Sequence, residues 1–118
     1  MNRALIVKKH WLDKILANEK PWEVRGSNTN IRETIGLIES GSGLVVGECE
    51  LVDSIKLDWD VFEKNIDKHC VSSRENVPYD TPYAWVNKNA KRYDKPIPYK
   101  HPQGAVIWVK LKDNLINV

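Results

Sequence analysis

Two runs of β-forming residues with a glycine-serine turn between them constrain this chain most. Ile31–Glu39 is rich in β-branched residues, Ser40-Gly41-Ser42-Gly43 is a turn signal, and Leu44–Asp53 follows as a second run. In that second run Val45, Gly47, Cys49 and Leu51 fall on one side, Glu48 and Glu50 on the other, and Val46 is out of phase. A period of two predicts one buried and one solvated face, and the short turn makes the two runs antiparallel neighbours. A sheet must form around this hairpin.

The remaining elements follow from local pattern. Ala4–Val7 is a short apolar run and reads as a buried strand. His10–Ala17 reads as a helix, with Trp11 over Ile15 and Leu12 over Leu16 on one apolar face. Asn18 can take the left-handed conformation that ends a helix, and Pro21 prevents continuation. Asp58–His69 reads as a second helix with Trp59, Phe62 and Ile66 on one face. Asp58 or Asp60 serves as its N-cap, and Asp60 with Glu63 has capping-box spacing. Cys70–Thr81 looks irregular, Tyr83–Val86 is a short strand, and Lys88–Gln103 is an extended connection. Gly104–Leu111 reads as a strand with Ile107, Val109 and Leu111 inward, and Lys112–Val118 as a loosely packed tail.

The 118 residues fit one domain covering the whole chain. The expected fold class is α+β: five or six mostly antiparallel strands with two or three flanking helices. Closure into a small barrel is favoured because it removes exposed sheet edges.

Composition excludes some functions. The apolar fraction of 42% and charged fraction of 29% are those of a folded, soluble domain. A net charge of +2 is too mild to announce a nucleic-acid protein by total charge, though it allows a local basic patch or a neutral small-molecule site. No run approaches the ~20 apolar residues of a membrane helix, so no membrane partner is expected. No secretory apolar segment opens the chain, and Cys49 and Cys70 form no CxxC pair, which suits a reduced, cytoplasmic setting with buried thiols. His10, His69 and His101 lack metal-ligand spacing, and neither a glycine-rich phosphate loop nor a nucleophile elbow appears, so no metal or cofactor is expected. Nothing in the sequence sets an oligomeric state.

The chemistry concentrates in Glu19-Lys20-Pro21-Trp22-Glu23-Val24-Arg25-Gly26-Ser27. On an extended backbone Glu23 and Arg25 share a face, and Lys20 reaches the same space. A cation, an anion and a stacking surface then meet near one point, which suits a nucleobase, a sugar or a phosphate. The same residues also fit a surface ion-pair set worth about 0–1 kcal/mol. A second cluster interleaves Tyr79, Tyr83, Trp85, Tyr93, Tyr99 and His101 with Lys88, Lys91, Arg92, Lys95 and Lys100. Rings among cations are the ingredients of a single-strand nucleic-acid groove, and equally of a core edge with a solvated face. Of the five tryptophans, Trp11, Trp59 and Trp108 sit in regular elements and read as structural, whereas Trp22 and Trp85 flank loops. The candidate catalytic residues are Lys20 and Glu23. The candidate ligand-binding residues are Trp22, Arg25, Gly26, Ser27, Tyr83, Trp85, Tyr99 and His101.

Trp11-Leu12-Asp13-Lys14-Ile15-Leu16 followed by Glu19-Lys20-Pro21-Trp22-Glu23-Val24-Arg25-Gly26 resembles the opening signature of ASCH domains, where a helix and a Gly-Glu-Lys-Thr type loop lead into a Glu-x-Arg strand. Ile35–Ser40, Val46–Cys49, Tyr83–Val86, Pro96–Tyr99 and His101–Trp108 resemble later segments of small stand-alone ASCH proteins, so the resemblance spans nearly the whole chain. It implies a PUA-like β-barrel with a cleft between barrel and helix, lined by the Lys-x-x-Glu-x-Arg loop. It implies binding of RNA, a nucleotide or a nucleoside, with a modified base among the candidates. Some relatives of this kind remove the acetyl group from 4-acetylcytidine, and at least one is a ribonuclease. Those hydrolases use a Lys and a Thr at three-residue spacing, with a carboxylate from elsewhere. Here Lys20 matches the Lys, Glu23 occupies the Thr position, and Glu63 or Glu75 is the candidate for the distant carboxylate. A protein-interaction module in transcription or translation is the third reading.

Overall fold

The structure is a computed structural model and describes residues 1–115. Its elements are β1 (Arg3–Val7), α1 (Lys9–Leu16), β2 (Trp22–Arg25), β3 (Glu33–Glu39), β4 (Leu44–Lys56), α2 (Trp59–Lys64), α3 (Ile66–His69), a 3₁₀ turn (Arg74–Asn76), β5 (Tyr83–Pro98) and β6 (Trp108–Lys110). The six strands form one sheet in the order β2-β5-β4-β3-β1-β6. All neighbours are antiparallel except β1 and β3, which are parallel.

The expected class holds, but the sheet is not closed. β2 and β6 are its two ends, four and three residues long, and no backbone ladder joins them. Side chains span the gap instead. Arg25 Nη2 donates to the Ile6 carbonyl at 2.9 Å, and Trp85 of β5 stacks on Trp108 of β6 with centroids 5.6 Å apart. The seam between the end of β1 and the free edge of β2 therefore remains open.

β1 is apolar without interruption because both of its faces are covered. Leu5 and Val7 pack with Leu12, Ile15 and Leu16 of α1, whereas Ala4 and Ile6 pack with Ile38, Tyr99 and Val109 on the opposite face. Helix α1 ends as its sequence predicts, with Asn18 left-handed at φ 59°. The Asn18 side chain then pairs with the Ala90 peptide, donating to its carbonyl and accepting from its N–H, both at 3.1 Å.

A bulge explains why Val46 is out of phase. Leu37 pairs with Gly47 and Ile38 with Val45, so one step on β3 spans two on β4. Val46 joins Cys49 and Leu51 against α1, while Val45 turns to the other core. This corrects the expected grouping of Val45 with Cys49 and Leu51.

Three other expectations are corrected. The helix over Asp58–His69 breaks at Asn65 (φ −125°, ψ 33°), whose side-chain amide donates to the Val61 carbonyl at 2.7 Å and competes with the helical ladder. Asp58 caps α2 by accepting from Val61 N, and Ile66 is left exposed. The short strand at Tyr83 and the extended connection after it are one strand of 16 residues. Beyond Val86 β5 has only β4 as a sheet partner, so Pro96 and Pro98 lie on an edge where a missing N–H is tolerated. The last strand is three residues. Val109 and Leu111 are buried as expected, but Ile107 is 40% exposed and meets β1 through its carbonyl, which accepts from Ile6 N. Of the loosely packed tail, Asn114 and Leu115 pair with Lys100 and Tyr99, and residues 116–118 lie outside the described residues.

A Cβ on Gly47 would stand 2.4 Å from the Lys91 carbonyl oxygen and 2.7 Å from Leu16 Cδ2. The first of these is backbone and cannot rotate away. Gly47→Ala is expected to destabilise the fold by about 1–3 kcal/mol, read as a lower urea midpoint at unchanged slope.

Candidate functional site

The open seam is also the site of a cleft of about 290 Å³. Ile6 and Lys8 at the end of β1, Trp11 of α1, Lys20 before β2, Glu23, Val24 and Arg25 of β2, and Tyr79 and its neighbours in the loop after α3 are among its walls. The sequence places the polar groups there through one short strand. β2 alternates, so Glu23 and Arg25 share a face, and Pro21 ends the approach from the α1 turn.

Lys20 is 1% exposed and Glu23 is 6% exposed. Both are ionisable groups that are seldom buried unless paired. Lys20 Nζ donates to the His69 carbonyl, stands 3.8 Å from Glu23 Oε1 and lies 4.7 Å from the centre of the Trp11 ring. Glu23 Oε2 accepts from Arg25 Nε at 3.0 Å and Nη2 at 2.8 Å. Glu23 Oε1 accepts no hydrogen bond from the described residues. The Arg25 guanidinium lies 5.7 Å from the Trp85 ring, on a column that continues through Trp108 to Arg3. Burial pushes the Lys20 ammonium below its ordinary pKa, opposed by the Glu23 charge. The arrangement holds a desolvated cation, a carboxylate oxygen with spare capacity and two aromatic surfaces, Trp11 and Tyr79, at one small cavity.

The residue that fixes Lys20 from the protein side is His69. It is fully buried, its Nε2 donates to the Phe62 carbonyl at 2.7 Å, and its Nδ1 accepts from Val71 N at 3.0 Å. Those two bonds require the neutral ring. Desolvation lowers its pKa, the Phe62 carbonyl opposes this, and the Lys20 charge adds to the lowering.

The structure brings together Lys20, Glu23 and Arg25 from the sequence-derived set. Trp22 is buried with Leu57 and Phe62, and Trp85 is buried against α1 with its indole N–H on the Ser27 carbonyl at 2.8 Å, so neither lines the cleft. Tyr83 packs on that same core, outside the cleft. Tyr99 and His101 bond to each other at 2.8 Å beside the opposite core and also lie outside it. Gly26 is next to the cleft and gives it shape, because a Cβ there would stand 2.5 Å from Tyr79 Cδ1. Ser27 contributes its carbonyl to Trp85. Glu63 and Glu75 are exposed, and Glu23 is the one carboxylate among the described lining residues. Trp11, which reads from the sequence as a packing residue, lines the cleft, and so does Tyr79, which is outside the sequence-derived site set. Tyr79 did stand in the aromatic–basic cluster, but nothing in its spacing distinguished it from Tyr83. Cys49 is buried as expected, whereas Cys70 is only partly so, its Sγ donating to the Glu19 carbonyl at 3.4 Å.

No family model and no curated protein matches the chain by sequence. Solved structures do match by fold. The crystal structure of ASCH from Zymomonas mobilis superposes with a TM-score of 0.69 at 12% identity, covering 92% of this chain and 86% of that one. A tyrosine-to-phenylalanine variant of the same protein superposes at 0.71, also at 12% identity, with coverage of 92% and 88%. This chain has the ASCH fold. The ASCH fold here carries no helix, among the described residues, that is long and apolar enough to cross a membrane.

The neutral His69 predicts a pH dependence. The unfolded state takes up a proton near the ordinary histidine pKa of 6.5, while the folded state resists until lower pH. Stability is therefore full above 6.5 and falls as pH drops below it, by at most about 1.4 kcal/mol per pH unit for one proton. Urea melts at pH 7 and pH 5 measure this fall, and His69→Gln is expected to shrink it.

Proposed function

We propose that this chain is a member of the ASCH family and binds a nucleoside or nucleotide, free or as one unit of an RNA strand, in the cleft at the sheet seam. The observation that carries this reading is the buried Lys20–Glu23 pair, with Glu23 Oε1 left without a hydrogen-bond donor and Lys20 held in place from behind. Burying charge is costly, and a fold that only needed stability would do as well with apolar residues there. A base offers an amino group to Glu23 Oε1 and a carbonyl or ring nitrogen to Lys20 Nζ. Tyr79 and Trp11 supply apolar walls for its faces. A volume of about 290 Å³ lies at the low end of ligand pockets, about 300–1,000 Å³, and suits one base rather than several.

The same pair favours a second reading, hydrolysis of an acylated nucleoside. Glu23 Oε1 would take a proton from water as it adds to the acyl carbon. Lys20 Nζ, a readier acid for its lowered pKa, would give one to the departing amine nitrogen as the C–N bond breaks. Products would be the free nucleoside and the carboxylate.

Titration with the common nucleosides, their monophosphates and short single strands tests the first reading. Binding is expected for the parent and a loss of tenfold or more in Lys20→Ala. A log–log salt slope of about −0.7 per phosphate contacted identifies a strand, and a flat profile a nucleoside. Absence of binding to all of them would overturn the reading. Chromatography after incubation with 4-acetylcytidine tests the second. Cytidine formed by the parent and not by Lys20→Ala would establish an amidohydrolase, and no cytidine from the parent removes that reaction.

A further inference from the structure

The free edge of β2 lies inside the cleft, and its phase is fixed. The Asn87 N–H donates to the Pro21 carbonyl at 2.8 Å, and β2 then pairs Trp22 with Val86, Glu23 with Trp85, Val24 with Ala84 and Arg25 with Tyr83. In an antiparallel ladder hydrogen-bonded and non-hydrogen-bonded pairs alternate. Glu23 and Arg25 therefore turn their peptide groups to β5, and Val24 turns its N–H and carbonyl away from it, toward the seam. Val24 is half-buried and lines the cleft, and neither of its peptide groups has a partner among the described residues. A half-buried backbone donor and acceptor that face a small cavity and are unused by the sheet are available to a ligand that enters it.

The geometry points to Val24 as the residue that reads the edge of the ligand, which is a planar, pyrimidine-sized base carrying a hydrogen-bond donor beside an acceptor. This rests on the nucleoside reading above and narrows it. The N–H and carbonyl of one extended residue point the same way and lie side by side, as do the N3 and position-4 groups of cytosine and uracil. The base acceptor takes the Val24 N–H, and its donor gives to the Val24 carbonyl. Glu23 Oε1 and Lys20 Nζ then meet what the base has left, a second amino hydrogen for Glu23 and the position-2 carbonyl for Lys20. An added peptide strand does not fit, because the Arg25 bridge to Ile6 crosses the seam it would have to follow.

The test is made on both partners. Cytidine and uridine are titrated by calorimetry beside 3-methylcytidine and 3-methyluridine, in which the methyl group occupies the edge. On the protein side Val24→Pro deletes an N–H that the ladder does not use, on an edge strand where proline is tolerated. Val24→Ile keeps the N–H and serves as control. The expected result is binding of at least one parent pyrimidine, weakened about tenfold or more by N3-methylation and by Val24→Pro but not by Val24→Ile, the loss expected for a hydrogen bond at a desolvated edge. Pyrimidines that bind equally well with and without the methyl group would overturn the assignment of Val24 and leave the nucleoside reading standing. Should Val24→Pro fail to fold, the methylated ligands alone decide. Cytidine and uridine that bind neither the parent nor Val24→Ile would overturn the pyrimidine-edge assignment, and the nucleoside reading is then decided by the wider titration with the other nucleosides, the monophosphates and the short strands.

Discussion

The Arg25 guanidinium crosses the place where the sheet does not close. It donates to Glu23 on its own strand and to the Ile6 carbonyl on β1, and it lies beside Trp85 at the head of the Trp85–Trp108 stack. Backbone pairing would have brought β1 and β2 to the ladder spacing of about 4.8 Å and left no cavity. A side chain with several donors in one plane holds the strands associated and apart at the same time. The cleft, the position of Glu23 and the distance from Glu23 to Lys20 all depend on that spacer. Exchange for lysine would preserve the charge and lose the geometry.

Much of the site was legible because it is local. Lys20, Glu23 and Arg25 lie within six residues of each other, and the turn between α1 and β2 is written in Asn18 and Pro21. The aromatic walls were not legible. Trp22 and Trp85 flank loops in sequence, yet the pairing of β2 with β5 buries Trp22 with Phe62 and Trp85 over α1. Tyr79 reaches the cleft only because Gly26 leaves room for its ring, a relation between positions that share no element. His69 holds Lys20 through its backbone carbonyl, and a carbonyl leaves no trace in residue identity.

The fold shows the same division. The hairpin of β3 and β4 was plain from turn and alternation, because both are short-range. The length of β5 was hidden by its prolines and lysines, which suit an edge strand once β4 is known to lie alongside but argue against a strand when read alone. Barrel closure was inferred from the cost of open edges, and the cost is met differently here.

An open strand edge invites pairing with the same edge of another molecule. β6 presents only three residues, and its single exposed position next to solvent is Lys110. The edge of β2 is guarded by its surroundings instead. Arg25 lies across the seam beside the Val24 peptide, and the loop around Tyr79 lines the same cleft. The same bridge that holds the seam apart thus also lies across the path a pairing strand would follow along β2.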